Sequence, residues 1–178
     1  MARGVLHLVV GPSGAGKDTL IDAVRPLRPD ILFARRHITR PAGAGGEDHV
    51  AVAEADFASR AAGGGYALWW RANGLGYAAG PEVEKALAEG RHVVLNGSRA
   101  VVDLARARFA PLRVLFVAAP PATLAARLAA RGRESAEDIA KRLDRAALAA
   151  PEGGDVRSID NGGDLADAAR AMLAALAS

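Results

Sequence analysis

The chain has 178 residues, 51% of them hydrophobic and 24% charged, with no cysteine and a net charge of +3, which suits one domain with a real core. No run reaches the ~18 consecutive apolar residues of a membrane span, and disulfides and cysteine-ligated metals are excluded. With aromatics at 4% and the basic residues scattered, nothing makes a nucleic-acid surface.

In chain order the first element is the apolar run at residues 5–10, which reads as a strand buried on both faces. No export signal stands ahead of it, and a cytoplasmic location is expected. Directly after come Gly11-Pro12-Ser13-Gly14-Ala15-Gly16-Lys17-Asp18, then Leu20, Ile21 and Val24 at helical spacing up to Pro26. Strand, glycine-rich turn, lysine and helix is the order of a phosphate-binding P-loop. Glycines let backbone N–H groups wrap a polyphosphate, and the helix N-terminus adds positive potential. Lys17 is one of only three lysines among 23 basic residues, and it would reach the β- and γ-phosphates as a point charge. Asp18, followed by Thr19, stands where the pattern has Ser or Thr. A carboxylate there is a hard oxygen ligand for Mg²⁺; alternatively it serves the first helical turn, where acid is favourable.

Next come Arg35-Arg36-His37-Ile38-Thr39-Arg40 and a glycine-rich loop at residues 41–46. If extended, Arg36, Ile38 and Arg40 share one side, and arginine forks suit a phosphate; the alternative is a solvated pair in an arginine-rich protein. Residues 47–80 lack a sustained helical period and hold short candidate strands at 50–53 and 66–70 between glycine runs, as in an inserted subdomain. Pro81 opens a helix through Ala88, with Gly90 closing it.

Strand–helix alternation then resumes, with strands at residues 92–95 and 113–118 and a helix from Pro120-Pro121 to Arg131. A polar stretch at 132–138 leads into a helix to about Ala149. A strand at 156–159 and a closing helix with Leu165, Ala169, Met172, Leu173 and Leu176 on its apolar face complete the chain. The fold class is α/β: a parallel sheet flanked by helices, with excursions at 35–80 and 132–138.

A second arginine group is Arg127, Arg131, Arg133, Arg142 and Arg145. Arg127 and Arg131 are four apart on one helix and share a face. Such arginines either neutralise a phosphoryl group in flight or form surface pairs with Glu134, Glu137 and Asp138. His7, His37, His49 and His92 show no metal-ligand spacing, and Trp69-Trp70 reads as packing.

Together these pieces resemble the guanylate-kinase-like branch of P-loop kinases over most of the chain. Arg36 to Arg40 is similar to that family's acceptor-phosphate segment, with Arg40 on a phosphate-binding arginine. Asn73-Gly74-Leu75-Gly76-Tyr77 is similar to its Gly-Asn-Tyr-Tyr region, with Tyr77 on a phosphate-contacting tyrosine. Arg127 to Arg131 and Lys141-Arg142 match its lid and flanking helices, and Asn161-Gly162-Gly163-Asp164-Leu165 its segment near the adenine. The guanine-reading positions differ: Leu68 replaces a glutamate, Ala79 a hydroxyl residue and Asn96-Gly97-Ser98 an Asp-Ile-Asp motif; Gly43 also falls where a second arginine is usual.

A closer resemblance is to the ribose 1,5-bisphosphate phosphokinase family of phosphonate catabolism, through the Asp18-ended P-loop, His37-Ile38-Thr39-Arg40, Ala72-Asn73-Gly74-Leu75, residues 94–100 (Val-Leu-Asn-Gly-Ser-Arg-Ala) and Arg131-Gly132-Arg133-Glu134. It implies a single kinase domain over 1–178, with 35–80 binding the acceptor and 132–138 as lid. It implies ATP- and Mg²⁺-dependent conversion of ribose 1,5-bisphosphate into 5-phosphoribosyl 1-diphosphate. By the same resemblance Lys17, Arg127, Arg131 and Arg142 act on the moving group. Gly11 to Thr19, Arg127 and Asn161 hold ATP, with Asp18 toward the metal. Arg36, Arg40, His49, Tyr77, Asn96 and Arg99 hold the sugar. The alternatives are a guanylate or other nucleoside monophosphate kinase, and a non-catalytic interaction module of the same fold.

Overall fold

The computed structural model describes residues 2–44, 46–132, 134–146 and 149–177. Nine strands and seven helices appear among them: β1 Leu6–Val10, α1 Lys17–Val24, β2 Leu32–Phe33, β3 Arg36–Ile38, β4 Val50–Ala51, α2 Glu54–Ala62, β5 Leu68–Ala72, β6 Leu75–Ala79, α3 Glu82–Ala88, β7 Val93–Asn96, α4 Val102–Arg108, β8 Leu112–Ala118, α5 Pro121–Ala130, α6 Ala136–Ala146, β9 Val156–Asp160 and α7 Leu165–Ala177. Short 3-10 turns follow α1 and precede α4. None of the described helices is long and apolar enough to cross a membrane.

Five strands form a parallel sheet in the order β2-β7-β1-β8-β9, with helices flanking it as the α/β reading expects. Every residue of β1 is buried; four of the five are apolar, as suits a strand covered on both faces, and the fifth is His7, whose ring lies 5.8 Å from that of His92. The chain divides into two compact units, one of the residues up to Leu8 with Pro29–Leu112, the other of Val9–Arg28 with the residues from Arg113 on. In the second unit, α1 buries Leu20, Ile21 and Val24 and packs against α7. Helix α5 buries Leu124 and Leu128, four apart on one stripe.

The first unit also carries a four-stranded mixed sheet, order β4-β3-β6-β5. Strands β5 and β6 pair antiparallel through the turn Asn73-Gly74, both at positive φ (52° and 75°), the Asn-Gly pairing that a two-residue hairpin favours. Helix α2 lies on one face of this sheet: Phe57 and Tyr66 pack on Ala78, and a Cβ at Gly76 would fall 2.7 Å from the Phe57 ring.

Three expectations are corrected. Residues 47–80 contain a helix, α2, because its acidic first turn and Arg60 in the last suit the helix dipole; one buried residue, Phe57, is too little to mark a period. The strand expected at residues 66–70 starts at Leu68, since Tyr66 turns into the cluster with Phe57. On α7 the buried stripe is Ala168, Met172 and Leu176, and Leu165 is exposed at the helix start. The end of the helix expected to reach about Ala149 passes through residues 147 and 148, outside the described residues.

Candidate active site

In the second unit, the loop after β1 is shaped by close approaches. A Cβ on Gly11 would stand 2.2 Å from the Val117 carbonyl oxygen, so only glycine lets the chain leave β1 this near β8. Gly16 caps α1 at φ +81°, and a Cβ there would meet the Asn161 amide nitrogen at 2.7 Å. Asn161, buried just past β9, donates through Nδ2 to the Ala15 carbonyl at 2.7 Å. Arg127 on α5 donates to the carbonyls of Gly14 (3.4 Å), Ala15 (3.3 Å) and Asn161 (2.8 Å). A trans peptide points its C=O and N–H to opposite sides. Turning the Ala15 carbonyl onto Asn161 and Arg127 therefore aims the Gly16 N–H the other way, as an anion site needs.

Lys17 Nζ donates to the carbonyls of Gly11 (2.9 Å) and Pro12 (3.1 Å), which lays the ammonium across the start of the loop. Arg142 on α6 donates to Ser13 Oγ at 3.0 Å and pairs with Glu134 at 2.8 Å. Asp18 and Thr19 fall in the first turn of α1. The structure thus gathers Lys17, Arg127, Arg142 and Asn161 around residues 11–16. Arg131 caps the C-terminus of α5, donates its backbone N–H to the Ala129 carbonyl, and is exposed. Arg145 is exposed on α6, and Arg133 lies outside the described residues.

In the first unit, register sorts the residues of the small sheet. Arg36 pairs with Ala79, Ile38 with Tyr77, Leu68 with Ala79 and Trp70 with Tyr77, so these six share the face opposite α2. Trp70 and Tyr77 stack at 5.7 Å and 9°, and the Arg36 guanidinium lies 5.0 Å from the Tyr77 ring centre. Leu68, Ile38 and Ala79 are buried and apolar. Beyond the end of β3, Arg40 Nη2 approaches His49 Nδ1 at 3.4 Å, while the His49 ring reaches the backbone oxygens of Arg40 and Glu47 at 3.1 Å each. Arg40 Nε is buried without a hydrogen-bond partner among the described residues, and an orphaned buried guanidinium N–H is costly unless a ligand meets it.

His37 falls on the other face, edge-on to Tyr66 at 5.5 Å. Burial lowers its pKa, with Arg60 and Arg35 acting the same way and Glu82 opposing. Asn96 ends β7, buried, and Arg99 opens the next 3-10 turn, where burial lowers its guanidinium pKa.

Two features of these sets were not read from the sequence. One is the Trp70–Tyr77 stack, which the Asn73-Gly74 hairpin signal would have revealed by fixing the register. The other is Glu47, whose carboxylate forks onto Arg36; eleven positions and a loop separate the two, and no local pattern carries such a pair.

Similarity places the chain more narrowly. It is 48% identical over 98% of its length to a ribose 1,5-bisphosphate phosphokinase of Rhizobium etli, of which it covers 90%. The chain belongs to the ribose 1,5-bisphosphate phosphokinase family. A second phosphokinase of that family, from Laribacter hongkongensis, is 52% identical over 98% of the chain, which spans 43% of that protein's length. Residues 6–151 also match the family described as an AAA domain. Among solved structures, a guanylate kinase from Anaplasma phagocytophilum superposes with a TM-score of 0.70 at 17% identity, covering 99% of the chain and 86% of that structure. At that identity the likeness concerns the fold alone, and it agrees with the P-loop kinase architecture of the phosphokinase family.

Proposed function

We propose that the protein transfers the γ-phosphoryl group of ATP to ribose 1,5-bisphosphate, giving 5-phosphoribosyl 1-diphosphate and ADP, in phosphonate catabolism in the cytoplasm. An oxygen of the acceptor's 1-phosphate attacks the γ-phosphorus, and the bond to the β–γ bridging oxygen breaks. A phosphate monoester has its second pKa near ~6 and is largely dianionic at neutral pH, so no general base is required. What remains for the protein is alignment and charge neutralisation.

One kinase domain over residues 1–178 would divide this work between an acceptor-binding insertion at 35–80, a lid at 132–138 and the phosphate loop. Gly11 to Thr19 with Asn161 would hold ATP. Lys17, Arg127, Arg142 and Arg131 would neutralise the moving group, of which Arg142 is tied to Ser13 and Glu134. Arg40, Tyr77, His49, Asn96, Arg99 and the Arg36 cluster would serve the sugar bisphosphate.

Mg²⁺ fits this arrangement as a phosphate-bound ion. No group of three or more His, Cys, Asp or Glu among the described residues is placed to hold a metal, and Mg²⁺ favours one or two carboxylates plus phosphates and water. Asp18 would supply the carboxylate, and the ion would neutralise phosphate charge.

The observation that carries the acceptor assignment is the face shared by Arg36 and Tyr77. It joins a phosphate-suited tyrosine, with the Arg36 guanidinium over its ring, to the buried apolar neighbours Leu68 and Ala79. A face that reads a purine needs buried polar partners, and these two positions supply none. Phosphorus NMR of the protein with ATP, Mg²⁺ and ribose 1,5-bisphosphate, beside an equal sample with GMP, tests the reading. A diphosphate at C1 should accumulate in the first sample only; turnover of GMP alone would reject the sugar assignment.

A further inference from the structure

Glu47 has no part in the roles above, yet it is one of the better-buried acids of the small-sheet region. Its carboxylate takes two hydrogen bonds from Arg36: Nε donates to Oε2 at 2.8 Å and Nη2 donates to Oε1. The two side chains are 12% and 15% exposed, so water screens this pair far less than a surface pair. One whole edge of the guanidinium is thereby committed, and its charge is neutralised at short range. The plane it fixes lies over Tyr77, which is stacked in turn on Trp70. Strand β6 runs between β3 and β5, so Arg36 and Trp70 approach Tyr77 from its two flanking strands.

Arg40 differs in each respect. It forms no ion pair with a described residue, its Nε is buried without a hydrogen-bond partner among the described residues, and its Nη2 approaches the His49 imidazole at 3.4 Å. Of the two arginines at the ends of this stretch, one is compensated and the other is not.

We infer that Glu47 and Arg36 are positioning residues: Glu47 orients Arg36, Arg36 and Trp70 hold the Tyr77 ring, and Tyr77 with Arg40 meets the acceptor's phosphate. Arg36 does not bind that phosphate itself. A dianion on Arg36 would have to displace Glu47 and leave a second anion beside it in a poorly solvated place. This rests on the reading that the Tyr77 face takes an anionic acceptor.

The test uses a Trp69→Phe background, which leaves Trp70 as the sole tryptophan reporter; Trp69 is 41% exposed, lies on the other face beside Phe57 and belongs to neither arginine cluster. Into it go Glu47→Gln and Glu47→Asp, with Trp70 emission, near-ultraviolet circular dichroism, thermal midpoint and steady-state kinetics measured for each. Glu47→Gln should alter the Trp70 signals and raise KM for ribose 1,5-bisphosphate about tenfold, with KM for ATP and kcat within about twofold. Glu47→Asp, which keeps the charge, should recover most of that loss and covers the case in which the glutamine variant fails to fold. An unchanged Trp70 signal in a folded Glu47→Gln protein overturns the inference. So does a lower acceptor KM, which would mean that Glu47 competes with the phosphate for Arg36. If the parent protein turns over no ribose 1,5-bisphosphate, the acceptor reading fails, and the Trp70 signal still decides whether Glu47 fixes the stack.

Discussion

At Gly16 a single hydrogen atom decides the form of the phosphate loop. The residue sits at φ +81°, where an L side chain is strained, and the space its Cβ would need holds the Asn161 amide nitrogen at 2.7 Å. Gly16→Ala therefore carries two costs, about 1–2 kcal/mol for the left-handed backbone and a further penalty for pushing Asn161 off the Ala15 carbonyl. The second cost vanishes once Asn161 is truncated. In urea unfolding, Gly16→Ala should cost less in an Asn161→Ala background than alone, a coupling of about 0.5–3 kcal/mol; strict additivity would show that the two do not meet. The phosphate loop was legible in the sequence because its chemistry is local: glycines, a lysine and a helix start in consecutive positions. Asn161, distant along the chain, was legible only through a family resemblance. Glu47 was not legible at all, since a carboxylate that orients an arginine across a loop leaves no periodic trace.

Among the elements, β3 shows how a two-residue period assigns roles. Arg36 and Ile38 face one way with Tyr77, and His37 faces the other, beside Tyr66 under α2. Burial holds the His37 pKa below the ordinary value, Arg60 and Arg35 push in the same direction, and Glu82 opposes them. An unfolded chain carries this histidine near its ordinary pKa of about 6.5. Above that value both states are neutral here and the native packing is fully favoured. As pH falls from there toward the depressed folded value, the unfolded state takes up a proton that the native state refuses, and stability is lost. The urea midpoint should therefore drop more between pH 7.5 and pH 5.5 for the natural protein than for His37→Asn. Parallel curves would show that His37 does not report this burial. The same sheet marks where pattern reading stops. The central strands announced themselves as mostly apolar runs, because burial on both faces favours apolar side chains at nearly every position. Helix α2 did not, because one anchoring ring, Phe57, suffices to hold it to the sheet.

At the scale of the whole molecule, the residues proposed for the two substrates sort cleanly between the compact units. Gly11 to Thr19, Arg127, Arg142 and Asn161 belong to one; Arg36, Arg40, His49, Tyr77, Asn96 and Arg99 belong to the other. Arg127 reaches Gly14, Ala15 and Asn161 in the first set, and Arg40 reaches His49 in the second. Ground-state binding of ATP and of the acceptor should then be separable by mutation, while the transfer step depends on both. Arg40→Ala removes an uncompensated guanidinium from the acceptor set, and a hydrogen bond to a charged group is worth about 1.5–3 kcal/mol. It should raise KM for ribose 1,5-bisphosphate by about tenfold to a hundredfold and leave KM for ATP within about twofold. Arg127→Ala loosens the back of the phosphate loop and should do the converse. Both should lower kcat, since charge on the moving phosphoryl group is shared by the whole arrangement. Initial-rate measurements with each substrate varied at saturation of the other separate these effects. If either variant raised both KM values in step, the division of binding between the units would be wrong, because a residue confined to one ligand has no means of weakening the other before the two react.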